Sequence, residues 1–496
     1  MVMKAVEAPQ LSWDELKRLA WQELSHAKYL VLHHGVPIGT KAADVSSDHA
    51  VNYDQCFVRD FVPVGLVFLL QRQTLDYGSG TIASQDVVGN FLATTLDLLI
   101  TPDQMRTLER SPGMMPASFK VENDRIKPDY GERAIARVTP ADSCLWWLIL
   151  LRAYRQAGMQ YGINLHPELF EGLELKFRVR RAIRLMLNLY LSHRFDAEPM
   201  ILVPDGACMI DRRMGLNGYP LEIQALFHAG LLAASDLLPS DDLFQRRIRN
   251  RVIRLERQIR RDYWLDVDRL RMLYQAQSEQ YGEDHQHPPD QFFNKYNLYP
   301  ESIPFEHLIQ WISDDGGYLV GNLGPSQLDS RFFTLGNLMA ILSQLATPEQ
   351  SRKIIALIHQ RWEHLVGEMA MKICYPAIEG IEWHLVTGSD PKNKPWSYHN
   401  GGSWPVLMWM LAAAALQVSD LDFIHRLKAE LPRYGQRLLQ EHWPEYYDGS
   451  NGRLIGRMAK RYQTWSIAGL LLAQSFIDAP LDLALVTFSL PERPAR

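Results

Sequence analysis

The sequence predicts an all-α, single-domain catalytic fold, and three observations carry that expectation. Apolar segments with helical spacing recur along the 496-residue chain, and several are entered through short polar loops rich in glycine and tryptophan. Tight strand–helix alternation is missing, which argues against a doubly wound sheet. Nucleotide fingerprints are missing too: Gly78-Ser79-Gly80 lacks the third glycine of a dinucleotide loop, and no Walker A sequence occurs. Length alone permits two or more domains, but also one large core in a toroidal fold.

Hydrophobic residues make up 47% and charged residues 22%, as in an ordinary soluble enzyme. A net charge of −5 gives no nucleic-acid footprint. Cys56, Cys144, Cys208 and Cys374 are dispersed without a CxxC, which fits a reducing compartment. The N-terminal MVMKAVEAPQLSWDELKRLA has no long apolar stretch of the signal-peptide kind. The most apolar run, WPVLMWMLAAAAL at 404–416, is too short to span a bilayer and reads as a buried helix. A soluble, cytoplasmic protein without membrane or nucleic-acid partners is expected.

Along the chain, residues 13–33 form the first predicted helix, with Trp13, Leu16, Leu19 and Ala20 on one face. Helices follow at 60–74, beside Pro63, and at 85–99, before the turn Thr101-Pro102-Asp103. Residues 112–139 read as loop and short extended structure. Asp142–Ala153 is a strongly apolar helix, and Leu173–Leu191 a helix whose arginines form a solvated face. Extended runs are expected at Met200–Val203 and Ala207–Ile210, then helices at 221–234 and 241–259. The segment 281–300, rich in His, Pro, Asp and Asn, is an excursion. His285 and His287 lie there without a compact metal-ligand pattern, so no metal is expected. Further helices are expected near 301–312, 331–345, 348–367, 404–417, 421–439 and 463–476.

Acidic, arginine and aromatic side chains gather where the loops enter the helices. In Asn52–Asp60, Asp54, Arg59 and Asp60 are suited to hydroxyls or to ion pairs that hold the loop, and Tyr53 and Phe57 to stacking or to the core. Asp142 and Ser143 are suited to capping the helix that follows. Asp211 is a candidate general acid: burial favours its proton, whereas adjacent Arg212 and Arg213 favour its charge. Glu222 sits at a helix start, where its charge is favoured, and also suits a sugar hydroxyl. Gln224 has surface solvation as a sufficient explanation, and His228 reads as a hydrogen-bonded helical residue. The densest loop, Trp383–Trp404, offers Asp390, Lys392, Asn393, Trp396, His399 and Asn400, either to a polyol or to one another. Its Ser403 has no GxSxG context. Glu445, in WPEYYDG, is the second acid candidate; Asp448 either orients it or forms an Asp-Gly turn. Two carboxylates suffice for glycoside hydrolysis without a metal or cofactor, but the sequence does not give their separation.

Six ordered blocks resemble the alkaline/neutral invertases of cyanobacteria and plants, with the match spanning residues 50–478. They are NYDQCFVRDF at 52–61, ERAIARVTPADSCLWW at 132–147, CMIDRRMGLNGYPLEIQALF at 208–227, GGYLVGNLGPSQLDSRFFTLGN at 316–337, DPKNKPWSYHNGGSWPVL at 390–407 and WPEYYDG at 443–449. The resemblance implies an (α/α)6 barrel at 51–478, with an N-terminal helical extension at 1–50 and a C-terminal extension at 479–496. It implies hydrolysis of sucrose to glucose and fructose, with Asp211 as general acid and Glu445 as the water-activating base. Arg59, Asp60, Glu132, Asp142, Glu222, Gln224, His399 and Arg457 become sugar-pocket or loop-support residues. Related helical-barrel glucosidases imply inverting attack at the glucosyl carbon, and family members self-associate, which leaves room for a homo-oligomer. The competing expectations are another α-glucoside hydrolase, a sucrose phosphorylase and a non-catalytic carbohydrate-binding protein.

Overall fold

A computed structural model describes residues 11–44, 52–99, 111–133, 137–192, 198–272, 305–312, 315–324 and 328–488. Twelve longer helices among these residues organise the fold: α1 (Trp13–Leu24), α2 (Val58–Gln71), α3 (Ser84–Asp97), α4 (Ser143–Tyr161), α5 (Phe177–Tyr190), α6 (Leu221–Leu237), α7 (Leu243–Asp262), α8 (Thr334–Leu342), α9 (Pro348–Gln360), α10 (Met408–Val418), α11 (Leu421–Gln440) and α12 (Thr464–Asp478). The even-numbered helices touch in cyclic order, α2–α4–α6–α8–α10–α12 and back to α2. The odd-numbered ones pack outside them: α3 on α2 and α4, α7 on α6, α9 on α8 and α10, and α11 on α10 and α12. α1 lies against α11 and α12, and Tyr190 of α5 meets Phe227 of α6 at 5.9 Å between ring centroids.

Side-chain distribution explains the two layers. Every residue of α6 from Leu221 to Ala234, and of α12 from Thr464 to Ile477, is buried. A helix that is apolar on all sides must be enclosed. Outer α7 buries only a stripe, Ile248, Arg251, Val252, Leu255, Glu256 and Ile259, and leaves most of its arginines to solvent. Glycine lets the inner helices approach: a Cβ on Gly336 would stand 2.9 Å from the Glu222 backbone nitrogen, and one on Gly469 2.9 Å from the Pro405 carbonyl oxygen. Buried polar groups of the inner ring are partnered across elements. The Asn337 amide donates to the carbonyls of Leu319 and Phe333, and Gln474 donates to the Trp13 carbonyl, tying α1 to α12.

Side-chain caps are confined to the outer layer, although outer α3 and α5 also start without one. Side chains cap outer α1 (Ser12 with Glu15), α7 (Asp242), α9 (Thr347 with Gln350) and α11 (Asp420). None of the six inner helices has a side-chain N-cap bond. Their N-termini follow the polar loops, and the loops carry the functional side chains.

Strands depart from the all-α expectation. An antiparallel sheet joins 219–220, 318–323, 328–333 and 374–375, with 264–265 pairing onto 318–323. A smaller one joins 56–57, which was not expected to be extended, to 118–122 and 125–129, which lie within the 112–139 region read as loop and short extended structure. The expected helix at 331–345 is strand as far as Phe333 and starts only at Thr334. Leu328–Phe333 is buried on both faces, so it shows no alternation to separate it from a buried helix. The expected helix at 13–33 stops at Leu24, and Leu30–His33 turns back through left-handed Gly35 to pair with Val36–Thr40. Of the extended runs expected at 200–203 and 207–210, only Val203 makes a bridge, to Gly218. The segment 281–300, with His285 and His287, lies outside the described residues. No described helix is long and apolar enough to cross a membrane.

Candidate active site

The loops preceding the inner helices enclose a cavity of about 470 Å³, within the usual range of roughly 300–1,000 Å³ for small-ligand pockets. Tyr53, Phe57, Arg59 and Asp60 come from the start of α2, and Asp211 and Arg212 from the loop before α6. Lys392, Tyr398, His399 and Trp404 come from the loop before α10, and Glu445, Lys460, Gln463 and Trp465 from the approach to α12.

Asp211 stands on a loop pinned at several points. The Asp205 carboxylate accepts from the backbone N–H groups of Met214 (3.0 Å) and Gly215 (2.9 Å). Glu222 accepts from the Met209 N–H at 2.9 Å, and Arg59 donates to the Cys208 carbonyl at 3.1 Å. Arg59 also reaches Asp60 at 3.1 Å and Asp142 at 3.3 Å, joining the starts of α2 and α4 to the acid loop. Asp142 therefore does not cap α4 through its side chain; half-buried Arg59 takes that carboxylate instead. Asp142 also lines a small annex of about 40 Å³ shared with Arg59 and Asp211.

The two arginines that follow Asp211 are turned to other partners or to solvent. Arg212 is committed to Asp390 at 2.6 Å, and the Arg213 side chain is exposed. Burial raises the Asp211 carboxyl above its ordinary range, against the opposing pull of Arg59, Arg212 and Lys392. Its Oδ1 faces His399 Nδ1 at 3.6 Å, and burial holds the His399 imidazole far below its usual range and so neutral. The His399 ring stacks on Trp404 at 5.3 Å, and Trp404 stacks in turn on Tyr446 at 5.5 Å. Burial also raises Asp60 to about 6 and Glu222 to about 7.

Glu445 is held from several directions. Its Oε1 accepts from the Tyr53 hydroxyl at 2.6 Å, and its Oε2 from Lys392 Nζ at 3.4 Å and the Lys460 N–H at 3.4 Å. The Glu445 N–H donates to the Lys460 carbonyl at 2.7 Å, and Ser466 to the Pro444 carbonyl at 2.8 Å. Paired backbone bonds between Tyr447 and Ser403 stitch this segment to the glycine-rich loop. There Gly449 meets Gly401 so closely that a Cβ on Gly449 would lie 1.7 Å from the Gly401 carbonyl oxygen. Asp448 accepts from the Ser450 N–H at 3.0 Å, as a turn residue does.

Of the candidates from the sequence, Asp211, Glu445, Arg59, Asp60 and His399 share the cavity wall. Asp142 and Glu222 stand behind it as supports of the acid loop. Gln224 clamps the backbone of Ile201 through two 2.9 Å bonds, away from the cavity. Glu132 is exposed and accepts from the Tyr130 N–H at 2.7 Å, while its neighbour Arg133 lines the cavity. Arg457 is exposed, and its carbonyl, not its guanidinium, engages the site by accepting from Tyr446. Lys392, offered by the sequence either to a polyol or to its own loop, lines the wall, and Tyr398, which the sequence did not single out, lines it too. Their signal was present in the polar–aromatic string KNKPWSYHN at 392–400, but nothing there separated wall from internal brace.

Comparison with known proteins gives the family of the chain. The profile described as alkaline and neutral invertase matches residues 20–480. Cytosolic invertase 1 of Oryza sativa subsp. japonica is 44% identical, over 94% of this chain and 79% of that protein. Probable alkaline/neutral invertase F of Arabidopsis thaliana is 44% identical, over 94% and 89%. The mitochondrial alkaline/neutral invertase C of Arabidopsis thaliana is 42% identical, over 96% and 69%. Among solved structures, a bacterial glucoamylase complexed with acarbose gives a TM-score of 0.49 at 12% identity, over 93% of this chain and 55% of that one.

Proposed function

The chain belongs to the alkaline and neutral invertase family, and from that membership we propose that it hydrolyses sucrose to glucose and fructose with Asp211 as acid and Glu445 as base. The observation that carries this reading is that two differently prepared carboxyl groups line one cavity. Burial biases Asp211 towards its protonated form, while a hydroxyl, an ammonium and a backbone N–H all donate to Glu445.

In the proposed step, Asp211 gives its proton to the glycosidic oxygen as the bond from that oxygen to the glucosyl anomeric carbon breaks. Fructose leaves with that oxygen. Glu445 takes a proton from a water that attacks the same carbon from the opposite face. The stereochemistry is inversion, through an oxocarbenium-like transition state. Proton exchange with solvent returns both carboxyls to their starting states. The neutral His399 imidazole and the tryptophan-lined wall suit sugar hydroxyls and an apolar sugar face. The cyclic contact order of the inner helices supports an (α/α)6 barrel, with α1 as its first outer helix. Asp211→Asn and Glu445→Gln keep side-chain shape while removing acid–base capacity. Each is expected to lower kcat at least about 10²-fold, the usual minimum worth of a positioned acid or base. A folded variant that turns over sucrose at the parent rate would remove its residue from the mechanism.

A further inference from the structure

The segment Trp383–Trp404, read as one polar loop from the sequence, is helical as far as Thr387, and the loop beyond it delivers a charge to the base. Lys392 Nζ lies 3.4 Å from Glu445 Oε2 and 3.3 Å from the Tyr53 hydroxyl, which itself donates to Glu445 Oε1 at 2.6 Å. These three side chains form a closed triangle of polar contacts. The ammonium also sits over the Tyr398 ring, 3.8 Å from its centroid. Lys392 and Glu445 keep only 7% and 3% side-chain exposure, so neither charge has bulk water to stabilise it. The lysine backbone is fixed as well: its N–H donates to Asp390 at 3.0 Å, and its carbonyl accepts from Ser397 at 2.8 Å. The same Asp390 holds Arg212, so the nearest guanidinium is engaged elsewhere and the ammonium is left facing the base.

We propose that Lys392 is a positioning residue for the reaction: its ammonium, with the Tyr53 hydroxyl, clamps the Glu445 carboxylate and aims it at the attacking water. This rests on Glu445 being the base. A general base acts only above its own titration, and a buried carboxylate is favoured as the anion by an adjacent cation. Among the described residues, the other titratable groups around the pair are Tyr53, Tyr398, His399, Tyr446, Asp211, Arg212 and Lys460. The tyrosines are neutral at working pH. Arg212 is paired with Asp390 at 2.6 Å, whereas Lys392 Nζ stands at ion-pair distance, 3.4 Å, from the Glu445 carboxylate.

The test is the pH profile of kcat/KM on sucrose for full-length Lys392→Met, Lys392→Arg, Tyr53→Phe and Glu445→Gln. Lys392→Met is expected to lower kcat about 10²-fold with KM within about threefold. Its acidic limb moves to higher pH by about one unit or more, because loss of the cation makes Glu445 harder to ionise. Lys392→Arg restores most of the limb position. A lysine that merely braced the loop would lower activity without moving the limb. A folded Lys392→Met protein with an unmoved acidic limb, or with kcat within about threefold of the parent, overturns the inference. Should Lys392→Met fail to fold, Tyr53→Phe takes its place: a limb displaced upward supports the clamp, and an unmoved one overturns it. Glu445→Gln separates the two levels. If it is inactive while Lys392→Met keeps the parent limb, only the lysine inference falls; if Glu445→Gln stays active, the base assignment falls and takes the lysine with it.

Discussion

Replacing Glu222 by Gln should make the fold less sensitive to alkali. Glu222 lies at the start of α6, is buried, and accepts from the Met209 N–H at 2.9 Å, which a glutamine oxygen also does. Burial first, reinforced by Asp142, raises the carboxyl from 4.5 to about 7. The folded state therefore binds this proton more tightly than the unfolded chain. Stability contributed by the protonated group is fully present below about 4.5 and lost as pH rises through about 7. The difference of about 2.5 units, at 1.36 kcal/mol each, is roughly 3 kcal/mol of alkaline penalty. At roughly 2 cal/mol/K per residue, a chain this long changes Tm by about 1 °C per kcal/mol, so the effect is about 3 °C. Thermal unfolding of both proteins from pH 4 to pH 9 measures it. The Tm of the variant relative to the parent should rise by about 3 °C between pH 4.5 and pH 8, whatever constant offset the amide introduces. A difference that stays flat across that window refutes the claim that Glu222 holds its proton in the fold.

Three further outcomes are expected. Arg212→Met removes a cation that lowers the Asp211 titration and leaves Asp390 uncompensated nearby, so the alkaline limb of kcat/KM should move up, by up to about one unit; an unmoved or lowered limb contradicts the acid assignment. Gly449→Ala forces a methyl against the Gly401 carbonyl and should cost about 3 kcal/mol or more in urea unfolding, whereas an unchanged midpoint would show that the two loops separate freely. Trp404→Ala removes the stack under His399 and Tyr446 and should lower kcat/KM at least about tenfold, a loss that parent-like kinetics would contradict.

The helical layers were legible because enclosure writes itself into composition. LEIQALFHAGLLAA and TWSIAGLLLAQSFI are apolar on every face, whereas the arginine-striped α7 has one apolar edge. The strands at 318–323 and 328–333 were not legible, since a run buried on both sides carries no period of two. In the site, Asp211 and Glu445 stood out through the ordered blocks around them, not through periodicity. The partner of each charge did not. Asp142 read as a helix cap because Asp before an apolar run usually is one; only the fold brings Arg59, 83 residues earlier, to its carboxylate. Lys392 and Glu445 are 53 residues apart, and their pairing depends on α10 and α12 being neighbours in the ring.

The central claim is single displacement by water at the glucosyl carbon, with Asp211 and Glu445 on opposite sides of the bond. Proton NMR of the first glucose released from sucrose, run in ¹⁸O-labelled water and followed by mass spectrometry of both products, tests it most directly. The expected result is β-glucose before mutarotation, with the label on glucose C1 and none on fructose. Initial α-glucose, or label entering fructose C2, contradicts it.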